Sequence, residues 1–446
     1  MQHKWLGKDI TVFTRGAVMG YSSLKMGKEY QAPRGTVDIL PAEQAYWRHV
    51  ERQAAEVCHL HGYGRIDTPA FESTGLFSRS IGGGTDIVEK EMYSFEDKGG
   101  NSITLQPEGT APVCRAYIQH GMHNQPQPVK LYYLTSIFRY ERPQSGRYRQ
   151  HHQFGYEAIG DGDPMLDAEV IGTAWRFYEK LGLNKLKLLL NSIGCKKCRP
   201  AYLAKLKDYY TKHINELCND CKIRLEKNTL RLLDCKQPGC QPLAGKAPSS
   251  ADNLCPECAR HFDLLKKYLT TLGLPFNIDH RLVRGLDYYT RTVFEIQPQS
   301  GGAQSTIGGG GRYDDLIEEL GGKPTPAIGF ATGIERIILN LKKQKVEVPP
   351  IPQPQVFIAY IGEGAREAAV KLASQLRQEG IGVWQASGSK SLKAQLRQAN
   401  NFGAKFTVII GEEELKNGTA VLRDMTTARQ QTVGIEELQD RLQSQP

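Results

Sequence analysis

The sequence predicts a multidomain α+β chain: an antiparallel-sheet body split by a helical, cysteine-rich insertion, then a smaller α/β domain. Three observations predict it. Segments of strand composition follow one another through short turns in two blocks. Eight of the ten cysteines crowd into a lysine-rich stretch between those blocks. Finally, Lys345-Val-Glu-Val-Pro-Pro-Ile-Pro-Gln-Pro354 reads as a stiff linker before a strand–helix alternation.

Taken in order, residues 1–30 show neither a two-residue nor a 3.6-residue period. They read as a disordered extension, with Met26 a more natural start than Met1. Pro41 opens a helix with Tyr46, Val50, Ala54 and Val57 at helical spacing, closed by Gly62. Residues 63–71 read as one strand ending at an edge, since Pro69 cannot donate to a ladder. Strands are expected at 129–134, 153–159 and 185–190, with a helix at 166–181 burying Val170, Ala174 and Tyr178. A second block has strands at 290–296 and 304–307, then Gly329-Phe-Ala-Thr-Gly333 feeding a helix at 334–341. Beyond the linker, a strand at 356–361, a helix at 365–378 and a strand at 406–410 make a parallel or mixed sheet. The domain map is therefore 31–192 with 271–344 as the body, 193–270 as insertion, 345–355 as linker and 356–446 as the last domain.

Composition excludes several classes. At 40% hydrophobic and 24% charged, the chain is neither disordered nor fibrous. No apolar run approaches the ~20 residues of a membrane span, and polar residues interrupt any apolar core of a leader in MQHKWLGKDITVFTRGAVMG. A cytoplasmic chain with no membrane partner is the expectation. The net charge of +9 favours a polyanionic partner or a nucleotide, although charge alone does not separate these from a mildly basic soluble protein.

No Gly-x-x-x-x-Gly-Lys-Ser/Thr occurs, which closes the P-loop route to nucleotides. The run Phe138-Arg-Tyr-Glu-Arg-Pro-Gln-Ser-Gly-Arg-Tyr-Arg-Gln-His-His-Gln153 is more informative, with four arginines in a strand–loop–strand frame: Arg139, Arg142, Arg147 and Arg149. Apolar flanks at Ile137, Phe138 and Phe154 place Arg139 at a buried sheet surface, where its planar fork needs an anion and suits a phosphate. A solvated basic loop is the alternative.

This run resembles motif 2 of class II aminoacyl-tRNA synthetases. Gly329-Phe-Ala-Thr-Gly-Ile-Glu-Arg336 resembles motif 3, and residues 63–71 with Pro69 resemble the motif 1 dimer strand. Three further stretches are similar to histidyl-tRNA synthetases: Arg281-Leu-Val-Arg-Gly-Leu-Asp-Tyr-Tyr289, Ser305-Thr-Ile-Gly-Gly-Gly-Gly-Arg-Tyr-Asp314 and Thr104-Leu-Gln-Pro-Glu-Gly-Thr110. The likeness runs from about Gln31 to the C-terminus and implies a class II catalytic domain, a C-terminal anticodon-binding domain and a homodimer. It also implies L-histidine, ATP with Mg²⁺ and tRNA(His) as ligands.

Carried over position by position, the resemblance assigns Glu108, Thr110 and Gln153 to the histidine ammonium, with Gly109 also bordering the histidine. Glu157 and Tyr289 fall to the imidazole, and Tyr288, Gly309 and Gly310 to the pocket wall. Arg139 and Arg284 would flank the α-phosphate as the catalytic pair, both also bordering the histidine. Arg147 and Arg336 would take the outer phosphates, and Glu141 the adenine amino group. His151 stands where the family often has an aromatic residue stacked on adenine. Gln144, at the motif 2 loop tip, would meet the tRNA acceptor end. Lys390, Lys393 and Arg397, read as one helical face with Lys405 following, would meet tRNA phosphates.

Cys195–Cys198, Cys218–Cys221 and Cys255–Cys258 are three Cys-x-x-Cys pairs, and Cys235 with Cys240 makes a looser fourth. Two thiolate pairs make one tetrahedral zinc site, so eight cysteines would hold two structural Zn²⁺ ions; thiols retained without metal are the alternative. A different functional class also stays open, the non-catalytic regulatory subunit of ATP phosphoribosyltransferase, which shares the catalytic fold but lacks the anticodon domain.

Overall fold

The computed structural model describes residues 30–82, 85, 87–143, 146–299 and 306–444. The expected extension at 1–30 thus lies, but for Tyr30, outside the described residues. The chain divides into two compact units at Val348/Pro349, within the proline-rich stretch.

An eight-stranded sheet organises the first unit. Its strand order is Gly64–Arg65, Val129–Phe138, Gln150–Ile159, Ala327–Gly333, Gly308–Arg312, Thr290–Pro298, Leu186–Ser192 and Phe276–Ile278. The two outermost pairings are parallel and the five between them antiparallel. Strand alternation sorts the central side chains onto two faces. Phe154, Tyr156, Phe294 and Phe330 pack on one face against helix Pro164–Lys180, where Val170, Ala174 and Tyr178 are fully buried. Gln153, Glu157, Glu295 and Ala331 alternate with those aromatics along the same strands and so occupy the other face, where the site lies.

Two strand expectations are corrected. Residues 63–71 are not one strand: Gly64–Arg65 edges the large sheet, while Phe71–Ser73 belongs to a separate three-stranded sheet with Ser102–Leu105 and Tyr93–Glu96. Pro69, which cannot donate, stands in the irregular stretch between them. Likewise the strand expected at 304–307 is Gly308–Arg312 instead; Gln304 and Ser305 lie outside the described residues. The four glycines form a buried central strand because their neighbours leave no room for side chains. A Cβ on Gly310 would sit 1.9 Å from the Gly329 carbonyl oxygen.

Residues 193–270 hold helices Arg199–Lys212, Asn219–Lys227, Gln241–Lys246 and Pro256–Thr271. The last of these is tied to the body by a fully buried polar network. Asp167 accepts from Arg312 Nε at 2.7 Å and from Thr292 Oγ1 at 2.6 Å, and pairs with His261 Nε2 at 2.8 Å. Burial would raise the Asp167 carboxyl, but Arg312 and His261 hold it below its ordinary range. Removing one partner of such a network leaves the others buried and unpaired, which costs about 3–5 kcal/mol.

In the second unit, Val383–Gln385, Val356–Tyr360 and Phe406–Ile410 pair in parallel, and Thr419–Asp424 and Gln430–Gly434 extend the sheet antiparallel. Helices Glu363–Gln378 and Leu392–Asn401 cover it. Lys390 is not on the second helix as expected. Ser391 caps the N-terminus by accepting from Ala394 N, so Lys390 precedes the helix and donates to Gln398 Oε1 at 3.2 Å. Lys393 and Arg397 remain exposed, one turn apart on the helix. No helix among the described residues is long and apolar enough to cross a membrane.

Candidate active site

Glu157 projects from strand Gln150–Ile159 opposite Gly329, whose missing side chain makes room for it; a Cβ there would fall 1.6 Å from Glu157 Oε2. Three hydroxyls donate to the carboxylate: Tyr313 at 2.6 Å, Thr110 at 2.8 Å and Tyr133 at 3.2 Å. Burial pushes the Glu157 carboxyl up to about 8, against the lowering effect of Tyr313 and Thr110. Glu108 is also buried and raised by burial. It caps helix Thr110–Gln119, accepting from Thr110 N at 2.7 Å and Ala111 N at 2.8 Å, with the Tyr288 hydroxyl at 3.4 Å. A carboxylate has about four acceptor positions, so one stays open for a ligand cation. Tyr133 fits beneath this cluster because Gly109 and Gly155 both lack the Cβ its ring would meet. Tyr288 and Tyr289 close the cluster, their rings 4.8 Å apart.

Next to it lies a cavity of about 260 Å³ lined by Arg139, Arg147, Arg284 and Arg336, together with Glu141, His151 and Gln153. All four arginines also border an adjoining cleft of about 680 Å³. Arg139, just past strand Val129–Phe138, donates from Nε to Pro107 O at 2.7 Å, and its Nη1 lies 4.0 Å from Glu141 Oε1. Arg284 is held by Glu295 at 2.6 Å and lies 5.9 Å from the Tyr289 ring centre, joining the cavity to the carboxylate cluster. Burial works against the Arg284 charge, but Glu295 and then Tyr289 raise its pKa above the ordinary value. Arg336 opens toward the same space while bonding Gly146 O at 3.2 Å and Thr306 O at 2.7 Å. Burial and then the neighbouring Arg147 lower its pKa. His151 is held neutral, lowered to about 3 by burial and by Arg139. Gln153 Oε1 and Arg284 Nε are buried and, among the described residues, have no hydrogen-bond partner. Such orphans are costly unless a ligand meets them.

Some expected residues do not join the site. Gln144 lies outside the described residues. Arg142 is exposed, and Arg149 stacks on Tyr140 at 3.8 Å. Gly309 lines the cavity against Arg284, whereas Gly310 faces the opposite side of the sheet. Others were not read from the sequence: Tyr133 and Tyr313 on Glu157, Glu295 on Arg284, and Glu335, which lines the cavity and binds His152.

The cysteines form two groups, Cys195/Cys198/Cys255/Cys258 and Cys218/Cys221/Cys235/Cys240, each with its sulfurs within 4.8 Å of one another. Cys195 Sγ lies 3.9 Å from Cys198 and 4.0 Å from Cys255, and Cys218 Sγ lies 3.9 Å from Cys235. A Zn–S bond of about 2.3 Å gives a tetrahedron edge of about 3.8 Å, so soft tetrathiolate ligation fits both groups.

The family model described as histidyl-tRNA synthetase matches residues 35–337, and an anticodon binding domain matches 355–445. A histidine–tRNA ligase of Dehalococcoides mccartyi strain 195 is 65% identical over 409 residues, covering 92% of this chain and 98% of the relative. One from Desulforamulus reducens is 52% identical over 406 residues, covering 91% and 97%. The crystal structure of apo S. aureus histidyl-tRNA synthetase aligns with a TM-score of 0.78 at 40% identity, over 93% of this chain and 99% of that one. An ATP phosphoribosyltransferase regulatory subunit/histidyl-tRNA synthetase from Bacillus halodurans shares the fold at 23% identity and TM-score 0.60, over 85% and 97%. With its catalytic fold, its clustered arginines and carboxylates and this likeness over nearly its whole length, the chain belongs to the histidyl-tRNA synthetase family.

Proposed function

We propose that the chain activates L-histidine with ATP and transfers it to the 3′ end of tRNA(His). The observation that carries this reading is the convergence of Arg139, Arg147, Arg284 and Arg336 on one cavity, beside the buried Glu108 and Glu157. Glu108, Thr110 and the orphaned Gln153 Oε1 hold the histidine ammonium, next to the Gly109 backbone. Glu157 accepts from one imidazole nitrogen and the Tyr289 hydroxyl meets the other, with Tyr288 closing the wall. The histidine carboxylate attacks the α-phosphate in line, and pyrophosphate leaves. Arg139 and Arg284 neutralise charge growing on the α-phosphoryl oxygens, while Arg147 and Arg336 fix the outer phosphates. Glu141 takes the adenine amino group, and neutral His151 stacks on the ring.

Mg²⁺ takes one or two carboxylates plus substrate phosphates, and Glu335, which lines the cavity, would offer such an oxygen. When bound it supplies charge neutralisation to the phosphates. Each cysteine group holds one structural Zn²⁺. Gln144 and the exposed Lys393 and Arg397, with Lys390 beside the helix, meet tRNA. The chain works as a homodimer in the cytoplasm, and Phe71 and Phe95, exposed on the edge strands of the small sheet, suit a subunit contact.

The regulatory, non-catalytic reading is disfavoured by the anticodon-binding match and by the shared cavity of Arg284 and Arg336. ATP–pyrophosphate exchange without tRNA tests the proposal. Exchange is expected with histidine and, for amino acids lacking both ring nitrogens, at least about 10⁴-fold lower, because the site's own buried groups are then left unpaired. Exchange driven better by another amino acid would overturn it.

The raised Glu157 carboxyl makes a second expectation. Its ionised form is the stronger acceptor for an imidazole N–H, and deprotonation is favoured as pH rises through about 8. The KM for histidine should therefore fall between about pH 6.5 and about pH 9. In Glu157→Gln that slope should vanish; a slope that persists would put the titrating group elsewhere.

A further inference from the structure

The first cysteine group is wired to the tyrosine pair of the histidine pocket. Residues 193–199 carry Cys195 and Cys198, and helix Pro256–Thr271 carries Glu257 and Cys258. Both meet residues 289–291, where the chain leaves Tyr288 and Tyr289 and enters strand Thr290–Pro298. Two backbone bonds of 2.8 Å join them, Ile193 N to Arg291 O and Arg291 N to Gly194 O. Arg291 sits at φ 47°, a left-handed conformation that a non-glycine residue keeps only where its surroundings enforce it. They do: its guanidinium reaches Glu257, between Cys255 and Cys258, and lies 3.6 Å from Asp314.

Arg199 makes the most direct link. It follows Cys198, opens helix Arg199–Lys212 and turns its partly buried guanidinium inward. Nη2 donates to Tyr289 O at 2.6 Å and to Gly194 O at 3.0 Å, and Nε donates to Ile193 O at 3.4 Å. Among the described residues no carboxylate pairs with it within 4.0 Å. Its three hydrogen bonds all go to carbonyls, two on the cysteine loop and one on Tyr289. A metal held by four sulfurs would fix the loop at both ends, and Arg199 would carry that rigidity to Tyr289.

We propose that Arg199 is a positioning residue through which the Cys195/Cys198/Cys255/Cys258 centre holds Tyr289 in place for the histidine ring. This rests on the roles given above to Tyr289 and to zinc. The nucleotide side of the site, built on Arg139, Arg147 and Arg336, makes no contact with Arg199. Loss of Arg199 should therefore act on histidine and spare ATP.

The test uses full-length protein as purified, with zinc measured by mass spectrometry and both KM values measured in pyrophosphate exchange. Arg199→Met should raise the histidine KM about ten- to hundredfold, the scale of a small misplacement. Its ATP KM should stay within about twofold, with two zinc ions per chain retained. Arg199→Lys, which keeps one donor, should fall between. Cys195→Ser should hold one zinc per chain and show the same selective rise. Parallel changes in both KM values, or none, in Arg199→Met would overturn the role of Arg199; should that variant fail to fold, Arg199→Lys decides on the same criterion. Wild-type protein without zinc would remove the centre from the proposal and leave Arg199 to be judged by its KM split. Wild-type protein that fails to exchange with histidine would instead sink the proposed function.

Discussion

Arg284→His is expected to cut histidine-dependent pyrophosphate exchange by about 10³-fold, the cost of losing a preorganised group at developing charge, while the chain stays folded. The guanidinium lines both cavities and is fixed by Glu295 at 2.6 Å. An imidazole is shorter and presents no planar fork, so it cannot reach the phosphoryl oxygens with the paired donors that a guanidinium offers. Folding survives because Glu295 keeps the Thr306 hydroxyl at 2.6 Å and the Gln297 amide at 3.0 Å. Circular dichroism should match wild type. An exchange rate within about threefold of wild type, against the 10²–10³ typical of such groups, would remove Arg284 from the chemistry.

Gly310→Ala should destabilise the first unit by about 3 kcal/mol or more, at the upper end of overpacking costs. The new Cβ would lie 1.9 Å from Gly329 O and 2.9 Å from Phe330 Cα, which are backbone atoms of a paired strand. That strand cannot retreat, because on its far side it pairs with the strand bearing Glu157. Urea unfolding, alongside a Gly239→Ala control, measures the effect. Nothing lies within 4 Å of a Cβ on Gly239, and its substitution should stay within about 0.5 kcal/mol. Equal midpoints for the two variants would mean that the sheet can open around the glycine strand.

Periodicity made the helices and paired strands legible. The helix expected at 166–181 is Pro164–Lys180, starting earlier because Asp163 caps it and Pro164 occupies its first turn. The strand at 406–410 falls where its β-branched run says it should. Glycine defeated the same method. Residues 308–311 carry no side chain and so no pattern, yet they form a fully buried strand in the middle of the sheet. Lys390 was misread for a local reason, since Ser391 is a helix cap that the charge spacing hid. The arginines and Glu157 were legible through motif resemblance. Tyr133, Tyr313 and Glu295 were not, because their roles arise from contacts between distant stretches, 156 residues apart for Tyr313 and Glu157. The sorting of eight cysteines into two groups is equally tertiary: spacing supplies pairs, and only folding says which pairs meet.

The two cysteine groups are nested. Cys218 to Cys240 lies wholly inside the span from Cys198 to Cys255. Because synthesis runs from the N-terminus, the inner set emerges from the ribosome complete before Cys255 and Cys258 do. If it takes its ion first, the ring that the outer set must close is already shortened, and the entropic cost of closure falls with it. Metal starvation should accordingly strip the outer set, the one joined to the amino-acid pocket, before the inner one.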